Sequence, residues 1–130
     1  MSQFGPRLVS VIIGTRNRPD TLREALASIR AIEGPHLKFE ILVGDNGTTK
    51  ETPGVVAEFD GAYDKTDVYG CPAARNLAMR KVTGEFVAFL DDDDVWLPAN
   101  IRPQIALLDA HPEFEAAFGQ VTFADERLLP

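Results

Sequence analysis

Short apolar runs alternate along the chain with longer segments in which apolar residues return about every three to four positions. Val9-Ser10-Val11-Ile12-Ile13 is rich in β-branched residues and predicts a strand ended by Gly14. Pro19 suits the first turn of a helix opening near Asp20. Leu22, Ala25, Leu26, Ile29 and Ile32 form its apolar face, and Gly34-Pro35 stops it. Phe39 to Val43 predicts a second strand running into Gly44-Asp45-Asn46-Gly47. Thr52 to Phe59 reads as a short helix with Val55, Val56 and Phe59 inward, and Gly61 to Thr66 as a loop before a short strand near Asp67 to Tyr69. Cys71-Pro72 opens a helix with Ala73, Ala74, Leu77 and Ala78 on its apolar side, ended by Gly84. Glu85 to Leu90 predicts a buried central strand, because Phe86-Val87-Ala88-Phe89-Leu90 has no polar alternation. Pro98 opens a helix carrying Ile101, Ile105 and Leu108 and closed by His111-Pro112; Ala116 to Phe123 predicts a last strand.

Strand and helix thus take turns, which implies an α/β fold with a Rossmann-like, mostly parallel sheet and right-handed crossovers. In such sheets ligands bind beyond the C-terminal strand ends. Three polar clusters fall there: Thr15-Arg16-Asn17-Arg18, Asp45-Asn46-Gly47-Thr48, and the acidic run Asp91-Asp92-Asp93-Asp94. Adjacent carboxylates at the exit of an apolar strand repel one another, so either some hold protons or a cation neutralises them. Hard divalent cations prefer such oxygen donors. A solvated acidic turn is the plain alternative for the run taken alone, and its convergence with the other two clusters weighs against it.

Composition narrows the function. A chain of 130 residues suits one domain with its own core. With 45% hydrophobic and 25% charged residues it is ordinary globular protein. A net charge of −7 argues against nucleic-acid binding, and an anionic ligand then needs a local cation, a helix N-terminus or particular arginines. The single cysteine, Cys71, excludes a disulfide framework and points to a reducing, cytoplasmic compartment. No signal peptide and no membrane-spanning run is expected, although the chain could dock at the cytoplasmic membrane face.

Four segments, in order, resemble the family 2 glycosyltransferases of GT-A fold: Val9 to Pro19, Glu40 to Thr48, Ala73-Ala74-Arg75-Asn76-Leu77-Ala78, and Gly84 to Pro98. The resemblance implies binding of a nucleotide-diphosphate sugar with Mn²⁺ or Mg²⁺ and inverting transfer of the sugar to an acceptor it does not name. By it, Asp91 and Asp93 are the Asp-x-Asp pair, with Asp93 on the metal and Asp91 or Asp92 reaching the ribose or the metal's waters. Thr15, Asp45 and Asn46 flank the base, and Arg75 approaches the nucleotide. Two departures stand out: Gly14 replaces the family's usual proline, and Asn46 replaces an aspartate, which loosens any expectation of uracil. The resemblance further implies that residues 1–130 are one donor-binding domain, that the general base lies beyond Pro130, and that the chain self-associates through apolar surface near Val121, Phe123, Leu128 and Leu129.

Several other residues take plainer readings. Asp94 caps the following turn, Arg16 and Arg18 are solvated, Trp96 belongs to the core or walls the acidic loop, Cys71 is structural, and His36 and His111 face solvent. The rival function from another class is a non-catalytic nucleotide or nucleotide-sugar binding module. A nucleotidyltransferase is disfavoured because Gly14-Thr15-Arg16-Asn17-Arg18 is poor in glycine, and an aspartyl phosphotransferase because no Asp ends the first strand.

Overall fold

The computed structural model describes residues 5–125 and 127 and divides the chain into two compact units, Met1–Trp96 and Leu97–Pro130. The first holds β1 (Arg7–Thr15), α1 (Pro19–Ile32), β2 (Leu37–Asp45), α2 (Thr52–Glu58), β3 (Ala62–Lys65), α3 (Cys71–Met79) and β4 (Phe86–Phe89). The strands form a parallel sheet in the order β3-β2-β1-β4. An α/β fold with a parallel, helix-flanked sheet is therefore what the alternation encodes.

The strand order reverses after β3. From β1 to β3 each strand is laid on the same side of the last; β4 then returns to the far side of β1. Right-handed crossovers accordingly send α1 and α2 to one face and α3 to the other. Side chains alternate between the faces. On the α3 face Ile12 and Leu42 pack with Ala78 of α3, flanked by Ala62 and Val82. Farther along the same face the side chains vanish, at Gly14 and Gly44. A Cβ on Gly44 would lie 1.9 Å from the carbonyl oxygen of Ala74, and one on Gly14 would crowd Ala74, Arg75 and Cys71. These glycines let the start of α3 settle onto the C-terminal ends of β1 and β2. The expected apolar face of α1, Leu22, Ala25, Leu26, Ile29 and Ile32, is buried throughout.

The differences from expectation have physical reasons. β1 and β2 run through their glycines to Thr15 and Asp45, because parallel pairing continues to Thr15↔Asp45. The third strand lies at Ala62–Lys65, inside the expected loop, and Asp67 to Tyr69 form no strand; pairing of Asp45 with Lys65 ends the ladder there. β4 is an edge strand, not a buried central one. Its residues alternate between half-buried and exposed, with Val87 39% and Phe89 59% accessible. An all-apolar run concealed that alternation.

In the second unit α4 spans Ile101–Ala110, opening after a turn at Pro98 rather than at Pro98 itself. His111 follows the helix and stacks on Phe114, with ring centroids 4.8 Å apart. Ala116 to Phe123 is not a strand: no described strand pairs with it, and Phe118, Val121 and Phe123 are exposed. Leu128 and Leu129 lie outside the described residues.

Glu40 fixes the approach to β4. Its carboxylate accepts hydrogen bonds from Ser10 Oγ (2.6 Å), Thr83 Oγ1 (2.7 Å) and the Thr83 backbone N–H (3.0 Å). Burial pushes this carboxyl up, but the hydrogen bonds together outweigh burial and hold it below its ordinary value of 4.5. Its stabilisation is complete above that value and is lost as pH falls through the lower folded value. Glu40→Gln is expected to cost about 1–2 kcal/mol at neutral pH. It should also flatten the acid limb of stability below about pH 4.5. Urea unfolding of both proteins across that limb checks this; parallel pH profiles would contradict it.

Candidate functional site

Reversal of strand order between β1 and β4 opens a crevice at their C-terminal ends, the place where open α/β sheets bind ligands. Gly14, Arg18, Cys71, Arg75, Asp91, Asp92 and Asp93 line a pocket there of about 190 Å³. Pockets for whole small-molecule ligands run to about 300–1,000 Å³, so this one is smaller than such a ligand needs. Each wall comes from a different element. Arg18 follows β1, Cys71 and Arg75 come from the first turns of α3, and the aspartates leave β4, whose register is held by Leu90 N–H donating to Ile12 O.

The acidic run is sorted by environment. Asp92 is buried; its Oδ2 accepts from Thr15 Oγ1 at 2.8 Å and its Oδ1 pairs with Arg18 Nη2 at 3.0 Å. Burial pushes its carboxyl above the ordinary range, opposed by the Thr15 hydroxyl and Arg18. Asp91 and Asp93 are exposed and each is met by an arginine: Arg75 donates to Asp91, and Arg18 Nη1 lies 3.2 Å from Asp93 Oδ2. Asp94 closes a turn by donating its N–H to Asp91 O. Its carboxyl is pushed up by partial burial, then by the charges of Asp93, Asp91 and Asp92. Carboxylate oxygens of Asp91, Asp93 and Asp94 all lie within 4.8 Å of one another, so Asp94 joins the cluster and does not cap α4. Exposed, crowded oxygen donors at one strand end fit a hard divalent cation. Arg18 and Arg75 place positive charge against three of these carboxylates, Asp91, Asp92 and Asp93.

Thr15, Asp45 and Asn46 lie outside the pocket lining. Thr15 is buried behind it on Asp92. Asp45 is buried, with Oδ1 accepting from Gly47 N–H (2.7 Å) and Oδ2 from Tyr63 OH (2.6 Å). Burial, then the bond and charge of Asp45, push the Tyr63 phenol well above its usual value, which keeps it a donor. Asn46 turns its amide to the 66–70 loop, donating to Val68 O and Gly70 O.

Two expectations are corrected by this geometry. Arg18 is not merely solvated, since it spans Asp92 and Asp93; three positions beyond the strand end, nothing local shows that pairing. Cys71 is exposed in the pocket wall, brought there by the close seat of α3 on Gly14. Trp96 is buried against Phe39, ring centroids 5.6 Å apart, and both histidines are exposed. Tyr63 escaped sequence reading, and Asn17 was read only as a member of the first polar cluster. Asn17 has a positive φ of 55°, and its Oδ1 accepts from the Thr48 and Thr49 backbone N–H groups, tying the loops after β1 and β2 together. An asparagine just past a strand was the available signal.

The sequence model described as "Glycosyl transferase family 2" matches residues 10–127. The chain belongs to that family. Among curated relatives, the Escherichia coli UDP-Glc:alpha-D-GlcNAc-diphosphoundecaprenol beta-1,3-glucosyltransferase WfgD is 32% identical over 105 residues, 78% of this chain and 41% of that protein. Staphylococcus aureus TarS 1–349, solved in complex with UDP-GlcNAc, superposes with a TM-score of 0.67 at 25% identity, covering 82% of this chain and 32% of that one. The Pyrobaculum calidifontis mannosyltransferase PcManGT, solved with GDP-Man and Mn²⁺, shares the fold with a TM-score of 0.60 at 24% identity, over 79% and 32% of the two chains. The chain thus spans well under half the length of each of these proteins.

The Thr15–Asp92 bond links the end of β1 to the loop after β4, and Thr15→Val keeps the shape while deleting the donor. Stability should fall by about 1–2 kcal/mol. Urea unfolding at pH 7 measures this; an unchanged midpoint would mean that the bond contributes nothing.

Proposed function

We propose that this chain is the donor-binding domain, residues 1–130, of a glycosyltransferase that takes a sugar from a nucleotide diphosphate and passes it, with inversion, to an acceptor. The observation that carries this reading is the pocket at the β1/β4 switch point, where exposed carboxylates and two arginines face one another. A diphosphate is an anion, and the acidic run alone would repel it. Arg18 and Arg75 pair with these carboxylates, and a carboxylate that takes a cation as its partner would release its arginine to phosphate oxygens. Arginine suits both states, because its planar fork matches carboxylate and phosphate alike.

The residues divide the work as follows. Asp93 and Asp91 hold the cation, Mn²⁺ or Mg²⁺, which when bound stabilises negative charge on the departing diphosphate. Asp94 closes the turn that presents them. Asp92, buried and tied to Thr15, anchors the loop and faces the ribose side. Arg75 contacts the diphosphate from α3. Thr15, Asp45 and Asn46 form the base-side wall at the ends of β1 and β2. Supporting this assignment are membership of the family over residues 10–127 and the UDP-GlcNAc held by the structurally similar TarS.

No described helix is long and apolar enough to cross a membrane. Cytoplasmic location, with docking at the membrane face, belongs to the same proposal. So does self-association, supported by the exposed Phe118, Val121 and Phe123.

Metal and nucleotide should bind cooperatively, since a cation held by Asp91 and Asp93 would offset the repulsion between the aspartates and the diphosphate. Titration of UDP and GDP with and without Mn²⁺ should show affinity rising at least about tenfold with the metal, a coupling of about 1.4 kcal/mol. Asp93→Ala should remove most of that gain and Asp94→Ala less of it. Nucleotide binding that ignores Mn²⁺, or coupling untouched in Asp93→Ala, contradicts the assignment.

A further inference from the structure

In the reading above, the diphosphate takes the pocket among the aspartates and arginines, which leaves the base to the neighbouring surface along the same edge of the sheet. The next surface there is the 66–70 loop, which joins β3 to α3. Two of its side chains are large and exposed, Val68 at 62% and Tyr69 at 79%. An aromatic ring that accessible is ordinarily free to swing, but this one is held. The Arg16 guanidinium lies over the ring, 5.0 Å from its centroid, and also donates to the main-chain carbonyl of Asn46. Asn46, 7% exposed, holds the loop from beneath. Its Nδ2 donates to Gly70 O at 2.8 Å and to Val68 O at 3.3 Å, the carbonyls on either side of Tyr69. That contact needs an amide: a carboxylate there has no hydrogen to give and sets its charge against two carbonyl oxygens.

We propose that Tyr69 is the aromatic platform on which the donor's nucleobase stacks, and that Asn46 is a positioning residue that fixes the platform by clamping the loop on both sides of it. One face of the ring rests on Arg16, and its high accessibility leaves the rest of the ring for a base. Stacking tolerates any base, because every base offers a π-face. Asn46 thus acts through the loop, where an aspartate would leave the loop unclamped. This inference rests on the nucleotide-binding reading above and extends it to the base.

The test compares the 130-residue chain with Tyr69→Ala, Tyr69→Phe, Asn46→Asp and the double variant Asn46→Asp/Tyr69→Ala. Calorimetry in Mn²⁺ measures UDP, GDP and inorganic pyrophosphate, and hydrogen exchange follows residues 66–70. Tyr69→Ala should weaken UDP and GDP roughly tenfold while leaving pyrophosphate unchanged. Tyr69→Phe should restore wild-type affinity. Asn46→Asp should speed exchange in the loop and weaken the nucleotides similarly, and the double variant should be no weaker than Tyr69→Ala alone, since the two act as a unit. Unchanged nucleotide affinity in Tyr69→Ala, or equal loss of nucleotide and pyrophosphate, overturns the platform. Unchanged loop exchange in Asn46→Asp overturns the clamp. A wild-type chain that binds neither nucleotide nor pyrophosphate overturns the nucleotide reading itself and the platform with it, an outcome distinct from the other two.

Discussion

Parallel register is the constraint on which everything else in this molecule depends. Strands that all run the same way finish at the same edge, and pairing of Thr15 with Asp45 and of Ile12 with Phe89 brings three polar clusters, far apart in the chain, to one line. Parallel strands cannot be joined by tight turns, so helices carry each connection, and their handedness decides the faces. Because β4 returns to the far side of β1, the loops after those two strands part and leave a crevice. Had β4 been added beyond β3, Arg18 and Asp92 would sit on separated strands and no pocket would form between them.

Within that crevice the chemistry is a contest for positive charge. Each exposed aspartate repels its neighbours, and burial of Asp92 makes its charge costlier still. Arg18 and Arg75 relieve the strain in the structure seen here, at the expense of their own freedom. On the proposed reading, a site balanced in this way takes a ligand that brings cation and anion together. The close seat of α3 matters for the same reason. Without a Cβ at Gly44 or Gly14 the helix start lies against the strand ends, which places Arg75 within reach of Asp91.

How far the sequence carried depended on whether a feature is local. The core face of α1 was legible because period and composition agree over four turns. The polar clusters at strand ends were legible because a strand's end is marked by where its apolar run stops. β4's position was not legible: an edge strand whose exposed face is also apolar, with Val87 and Phe89 outward, reads like a buried one. Ala62–Lys65 was missed for the opposite reason, since a short strand at the other edge carries charged residues and has no run to detect. The expected strand at Ala116 to Phe123 shows that strand propensity alone does not make sheet, since no described strand pairs with it. In the site, the aspartates were found and their arginine partners only half found, because the pairing of Arg18 with Asp92 spans the sheet and leaves no mark on either segment. Tyr63 on Asp45 is the same kind of contact, made between neighbouring strands.

The central claim is that the carboxylates after β4 and the arginines around them form a metal-dependent diphosphate site. Crystals of the chain grown with MnCl₂ and UDP, with anomalous diffraction at the manganese edge, address it most directly. The account predicts one manganese peak on the Asp93 carboxylate, diphosphate oxygens on the same ion, and Arg75 released from Asp91 onto phosphate. Nucleotide bound with no manganese at Asp93, or a peak there with Arg75 still paired to Asp91 and no diphosphate in the pocket, would contradict it.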